Sequence, residues 1–346
     1  GRMSKFCADI HNNLSLTLTR VGVKVNPCCW FKSSNIVSDY SLDLWQTPAL
    51  LNHRKSNLAG NLPMPGCSQC VAMEKGGEVS RRTGINSYYG TDPVVLSGPK
   101  GLEINIDYTC NLACIVCGPE LSTKWRLELA NPAIKQLPVR LDNDQIVQIL
   151  DQMDLSNLDN IHFYGGEPFL TPTHEVILEY IDKKVGLDKI YVWYNTNGTV
   201  KVKQKIFDLW ARCKMVRIYF SIDDVGARFE YIRYPASWSE TEDTMFWFRE
   251  NSPVNVLLAV QPTINCVNAY YHQDIMRWIN DKFDTNRVGD KNLVTRHPAS
   301  GTFQLSAMPK ELIDLCIARN QQDVWMSKFL ESVVPNEDHT ALARSH

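Results

Sequence analysis

The chain has 346 residues, enough for about two domains and a large core. Hydrophobic residues make up 44% and charged residues 21%, as in an ordinary globular chain, and 36 basic against 38 acidic residues leave a net charge of −2. That balance excludes a general basic field for nucleic-acid binding, and no run of about 18 apolar residues announces a transmembrane helix.

Gly1-Arg2 before Met3 reads as a cloning remnant, and no signal-peptide core follows. Eleven cysteines without a secretion signal point to reduced thiols and metal ligation in a cytoplasmic protein, not to disulfides. Five of them, Cys7, Cys28, Cys29, Cys67 and Cys70, fall in the first 98 residues. Leu14, Leu16 and Leu18 alternate with polar residues, Val21-Gly22 can turn, and Val23 and Val25 alternate again. This predicts a β-hairpin ending at Pro27-Cys28-Cys29. Helix is expected around Leu42 to Leu51. Cys67-Ser68-Gln69-Cys70 is a CxxC pair able to grip one metal centre. Arg81 and Arg82 read as part of a solvated linker.

Leu102 to Asp107 alternates as a strand and runs into Cys110-Asn111-Leu112-Ala113-Cys114-Ile115-Val116-Cys117. Three thiols on a loop at a strand end make a soft-metal site. A structural zinc closes its shell with four protein ligands, whereas three thiolates on an iron–sulfur cube leave one iron open. Strands and helices then alternate. Helices are expected over Ser122–Ala130, Asp142–Met153, Thr173–Lys183, Lys201–Cys213, Trp238–Glu250 and Tyr270–Phe283. Strands are expected near 161, 190, 216, 255 and 291. With the strand near 102 this is a parallel sheet with crossover helices, a partial (β/α)6 TIM-like barrel. Polar motifs fall at strand ends, where such barrels keep their chemistry. They are Gly165-Gly166-Glu167-Pro168, then Asn195-Thr196-Asn197, then Ser221 and Asp223, then Gln261 and Asn265, with Arg233 nearby in sequence. Cys213 and Cys316 read as core thiols, with Leu312 and Leu315 on the buried face of a helix over Glu311–Ala318. Cys266 follows a strand at the active face and is the candidate catalytic thiol, able to give a hydrogen atom to a substrate radical, although an inert buried thiol is the simpler reading.

The CxxxCxxC loop followed by GGEP resembles the radical S-adenosylmethionine (SAM) superfamily, with Val116 where that family usually has an aromatic residue. The resemblance implies a [4Fe–4S] cluster on Cys110, Cys114 and Cys117 and SAM on the open iron. It implies a SAM amino-group site at Glu167 with the Gly165 and Gly166 backbone, beside Pro168. Further SAM contacts are implied at Asn195, Asn197, Ser221, Asp223, Arg233 and Gln261. The earlier cysteines are similar to an N-terminal twitch/SPASM-like auxiliary module. That likeness implies a second [4Fe–4S] cluster on Cys7, Cys28, Cys67 and Cys70, with zinc on the same thiols as the alternative. Three regions follow: 1–98 for the small α+β hairpin-bearing auxiliary domain and linker, 99–297 for the barrel, and 298–346 for a helical extension and tail. The implied activity is reductive SAM cleavage and hydrogen-atom abstraction by an oxidoreductase, with peptide modification as the leading reading. A sugar or small-metabolite dehydrogenase or epimerase is the alternative, and a non-catalytic zinc- or cluster-binding interaction protein is the alternative of another class. The implied partners are SAM, substrate, an electron donor such as flavodoxin or ferredoxin, and a peptide-recognition protein. No membrane or nucleic acid is expected.

Overall fold

A computed structural model describes residues 6–62, 64–75, 79–92, 95–129, 131–283, 297–298 and 303–335. Its main strands are β1 (Asn13–Thr19), β2 (Gly22–Asn26), β3 (Ile36–Val37), β4 (Gly101–Asn105), β5 (Asn160–Phe163), β6 (Tyr191–Thr196), β7 (Met215–Phe220) and β8 (Val256–Val260). The helices are α1 (Asp9–Asn12), α2 (Pro48–Leu58), α3 (Ser68–Lys75), α4 (Arg81–Tyr89), α5 (Thr123–Glu128), α6 (Pro132–Lys135) and α7 (Asn143–Asp151). They continue as α8 (Thr173–Val185), α9 (Gln204–Arg212), α10 (Gly226–Ile232), α11 (Trp238–Asn251), α12 (His272–Lys282), α13 (Lys310–Arg319) and α14 (Val324–Glu331). The expected strand near 291 and the tail after 335 lie outside the described residues, although His297–Pro298 pairs parallel with Thr263–Ile264.

The chain divides into two compact units. The first comprises Gly1–Thr109, Lys135–Tyr194 and Asp208–Val216. The second comprises Cys110–Ile134, Asn195–Phe207 and Arg217–His346. These units do not follow the sequence divisions at 98 and 297. The hairpin was expected to belong to a separate module, but β1 pairs parallel with β4, matching Ser15 to Glu103 and Leu16 to Ile104.

In the first unit the strand order is β3-β2-β1-β4-β5-β6. Register sets Leu14, Leu102, Ile161 and Val192 in one row, and Leu16, Ile104, Phe163 and Tyr194 in the next. Both rows are buried, because side chains two apart on a strand share a face. The helix α8 meets this apolar side with Ile177, Leu178 and Ile181 at helical spacing. The opposite face carries the row Ser15, Glu103, His162 and Trp193. In α7, Asp142 and Gln145 close a reciprocal capping box, which explains the sharp start of that helix.

The second unit takes the end of β6, then β7 and β8. Its C-terminal helices bury Ile313, Cys316, Met326 and Leu330 in one apolar cluster. Leu312 and Leu315 were expected inside but are 47% and 54% exposed. The apolar stripe of α13 runs through Ile313 and Cys316 instead, a phase the short sequence pattern left ambiguous.

A buried polar chain joins the helix layer to the sheet in the first unit. Trp210 Nε1 donates to the Tyr194 hydroxyl at 3.2 Å, and that hydroxyl lies 3.1 Å from His174 Nδ1. Burial pushes the His174 imidazole down to about 4, so it is neutral at pH 7. The unfolded chain takes up this proton near pH 6.5 while the folded chain refuses it until about 4. Stability is therefore expected to fall by up to about 3 kcal/mol as pH drops through that window. Urea unfolding at pH 7, 5.5 and 4.5 checks this: His174→Gln should lose less stability across the series than the wild type.

Candidate metal centres

In the second unit the loop from Cys110 to Cys117 hangs between two anchors. The Cys110 N–H donates to Thr123 Oγ1, and the Thr123 hydroxyl returns a bond to the Cys110 carbonyl, both at 3.0 Å. Ser122 caps α5 and also donates to the Leu112 carbonyl at 2.6 Å. Trp125 Nε1 donates to the Cys114 carbonyl at 2.8 Å. From the other side, the N–H groups of Ala113 and Ile115 donate to the carbonyls of Tyr234 and Ile232. The loop has no regular structure of its own, so these bonds hold its backbone.

Two nitrogen donors reach sulfur. Arg233 Nη1 lies 3.9 Å from Cys114 Sγ, and Asn197 Nδ2 lies 4.0 Å from Cys110 Sγ. Burial pushes the Cys114 thiol up to about 12 despite the Arg233 charge, and burial also raises Cys117. As free groups these thiols keep their protons, so a metal would have to displace them. A soft donor set with N–H groups aimed at it fits an anionic iron–sulfur centre.

The other expected residues of this unit fall into pairs. Arg233 is buried against Asp223, with Nε at 2.9 Å and Nη2 at 2.8 Å from Oδ2. Asp223 Oδ1 accepts the Thr263 N–H at 2.7 Å. Each Asp223 oxygen thus already serves the protein. Asn195 Nδ2 donates to Gln261 Oε1. Asn197 donates to Asn111 Oδ1 at 2.9 Å and accepts from Thr199. Ser221 is half-buried, its N–H bonded to the Thr196 carbonyl. Asn265, expected to reach a ligand, is fully buried and commits its amide to its own turn. Cys266 packs against the C-terminal apolar cluster, and its N–H donates to the Phe303 carbonyl. Thr123, Trp125 and Asn111 were not foreseen. The Ser-x-x-Trp cap at Ser122 was the signal available for the first two.

In the first unit the Gly165-Gly166-Glu167-Pro168 turn lies against the continuation of β4. Gly166 N–H donates to Asp107 O at 3.1 Å and Glu167 N–H to Thr109 O at 2.7 Å. A Cβ on Gly166 would stand 2.3 Å from the Thr109 carbonyl oxygen, and one on Gly165 (φ +132°) 2.4 Å from Asn105 Oδ1. Close approach to this backbone, and not only to a ligand, requires both glycines. Glu167 is 2% exposed, and its carboxylate accepts the Phe169 N–H, capping the turn that begins at Pro168. Beside it, Asn105 Oδ1 is buried without a hydrogen-bond partner among the described residues, which fits a ligand ammonium group.

The first unit also gathers Cys7, Cys28, Cys67 and Cys70 on the wall of one small cavity. Cys7 lies two residues before α1 and is clamped by Asn57, which accepts from its N–H at 3.3 Å and donates to its carbonyl at 2.7 Å. Cys28 follows the hairpin, Cys67 ends a 3-10 turn, and Cys70 lies on α3. Cys29 turns elsewhere. Its N–H donates to Glu103 at 2.7 Å, and its sulfur lies 3.5 Å from Arg81 Nη1. Burial pushes Cys7 up to about 12 and raises Cys28 and Cys67. Among the described residues no three His, Cys, Asp or Glu side chains are spaced to hold a single metal ion.

The solvated linker expected at Arg81 and Arg82 is instead a buried charge network. Arg81 pairs with Asp9 at 2.5 Å and with Glu103 at 2.7 Å, and Arg82, 2% exposed, pairs with Glu74. The partner carboxylates are distant in sequence or on another helix, so nothing local in the chain revealed them.

Residues 104–265 match the radical SAM superfamily model. The match, with the α/β strand order, fits a partial TIM-like barrel. A curated relative, molybdenum cofactor biosynthesis protein 1 of Dictyostelium discoideum, is 26% identical over 181 residues, 52% of this chain. The match spans a quarter (25%) of that relative's length. Among solved structures, anSMEcpe with bound AdoMet is 15% identical at a TM-score of 0.45, covering 68% of this chain and 62% of that one. Streptococcus suis SuiB bound to S-adenosylmethionine is 12% identical at 0.41, covering 89% and 68%. No helix among the described residues is long and apolar enough to cross a membrane.

The Asp223–Arg233 pair yields a direct expectation. Arg233→Met leaves a buried carboxylate beside the cysteine loop and should lower unfolding free energy by about 3–5 kcal/mol. The Asp223→Asn, Arg233→Met double variant should recover part of that loss in guanidinium unfolding.

Proposed function

We propose that the chain is a radical SAM enzyme with two iron–sulfur centres. The observation that carries this reading is the anchored loop presenting Cys110, Cys114 and Cys117, with Arg233 and Asn197 at two of the sulfurs, inside the stretch that matches the superfamily. A reduced [4Fe–4S] cluster with SAM on its open iron supplies a 5′-deoxyadenosyl radical, which abstracts a hydrogen atom from substrate. The three cysteines hold that cluster. Arg233, fixed by Asp223, and Asn197, fixed by Asn111, screen the thiolate charge. Glu167 and the Gly165-Gly166 backbone, with Pro168 setting the turn, receive the SAM amino group. Asn195, Gln261 and Ser221 are the proposed polar contacts for the rest of SAM.

Cys7, Cys28, Cys67 and Cys70 are the proposed ligands of the auxiliary centre, supported by their convergence on one cavity. Four protein thiols would leave that centre no open position for substrate. The proposed substrate is a peptide, a reading that rests on the twitch/SPASM-like cysteine pattern. A sugar or small metabolite is the alternative. Flavodoxin or ferredoxin is the proposed electron source. Cys266 as hydrogen-atom donor has weaker support, given its apolar surroundings.

Anaerobic reconstitution with iron and sulfide, then dithionite and SAM, tests the reading. The wild type should bind about eight irons and release 5′-deoxyadenosine. The Cys110→Ala, Cys114→Ala, Cys117→Ala variant should retain about four irons and release none. Zinc-only metal content with no 5′-deoxyadenosine sinks the enzyme reading in favour of a metal-binding interaction protein.

A further inference from the structure

The cavity that gathers the four N-terminal cysteines also holds an arginine with one nitrogen unmatched among the described residues. Arg82 lines it, is 2% exposed, and bonds Glu74 through Nε at 3.0 Å and through Nη2. Its third nitrogen, Nη1, is buried and has no hydrogen-bond partner among the described residues. A buried charged donor left unmatched carries the full desolvation cost of that group. The rest of the local charge is already matched: Arg81 lies between Asp9 and Glu103, and the Ser80 hydroxyl joins Arg82 on Glu74.

The chain builds this orientation deliberately. Cys70 and Glu74 lie four residues apart on α3 and so share a face of that helix. Glu74 grips two of the three Arg82 nitrogens, leaving Nη1 for whatever the cysteines hold. The Arg82 guanidinium lies within electrostatic reach of Cys7 and Cys70. A forked guanidinium can hold a carboxylate and a third acceptor at once, which an ammonium does less well.

We infer that Arg82 is a positioning residue of the auxiliary centre: its Nη1 donates a hydrogen bond to a sulfur of the metal centre on Cys7, Cys28, Cys67 and Cys70, with Glu74 as the latch. This rests on the two-centre reading above. Taking up one electron makes an iron–sulfur centre more negative, so a buried cation and N–H donor favour the reduced state. Arg82 would thereby raise the reduction potential of the auxiliary centre and protect its sulfurs.

The test uses the full chain carrying Cys110→Ala, Cys114→Ala and Cys117→Ala, so that the auxiliary centre alone is observed. Iron and zinc are counted after anaerobic reconstitution, and the midpoint potential is read by electron paramagnetic resonance during dithionite titration. Loss of iron to a chelator is timed alongside. Arg82→Met should shift the midpoint to more negative potential and speed iron loss several-fold. Arg82→Lys should fall between Arg82→Met and the parent. Glu74→Gln, which loosens the latch but keeps the guanidinium, should move both readouts the same way by less. Arg212→Met, at an exposed arginine, should move neither. If Arg82→Met folds by circular dichroism yet loads no iron, the graded response of Arg82→Lys and Glu74→Gln carries the test. Full iron content with an unmoved midpoint and unchanged iron loss in all Arg82 and Glu74 variants overturns the inference alone. Zinc without iron in the parent overturns the two-centre reading on which it rests.

Discussion

The close approach of Gly166 to the Tyr108–Thr109 backbone is the constraint on which much of the fold near the metal loop depends. Three main-chain bonds run there in succession: Tyr164 N–H to Ile104, Gly166 to Asp107 and Glu167 to Thr109. They extend the β4–β5 pairing past the end of both strands. Thr109 is thereby held in place, and Cys110 is the next residue of the chain. No side chain larger than hydrogen fits at Gly166 without moving this backbone. The same contact buries the Glu167 carboxylate and leaves Asn105 Oδ1 as an unmatched acceptor.

A second theme is how buried charge is managed around sulfur. In the second unit one arginine, Arg233, serves one carboxylate and one thiol. In the first unit two arginines adjacent in sequence take different tasks: Arg81 bridges Asp9 and Glu103, while Arg82 takes Glu74. Neutral thiols in such surroundings resist ionisation because burial opposes the thiolate. A bound metal would reverse that balance by replacing the proton, since thiolate ligation couples folding to metal.

Much of the element order was legible because it is local. Met215–Phe220 alternates over a full strand and forms one with those bounds, and Asp142 with Gln145 announces the start of α7. The hairpin before Cys28 was readable from the Leu14–Leu18 and Val23–Val25 alternation. Its parallel pairing with β4 was not, because a strand's partner is chosen by tertiary register rather than by its own pattern. Likewise the asparagine clamp of Asn57 on Cys7 spans 50 residues, beyond any local signal.

What the sequence by itself determined is the chemistry on offer: the thiols of the CxxxCxxC loop, the Gly-Gly-Glu turn and the cysteines before residue 71. Only the tertiary structure decided which groups stand free and which are matched. It paired Asp223 with Arg233 and turned a presumed linker into buried ion pairs. The physical reason is that desolvation acts through space. A charge or thiol shows its sequence neighbours in the chain, but its cost is set by the carboxylates, guanidinium groups and apolar walls that folding brings around it.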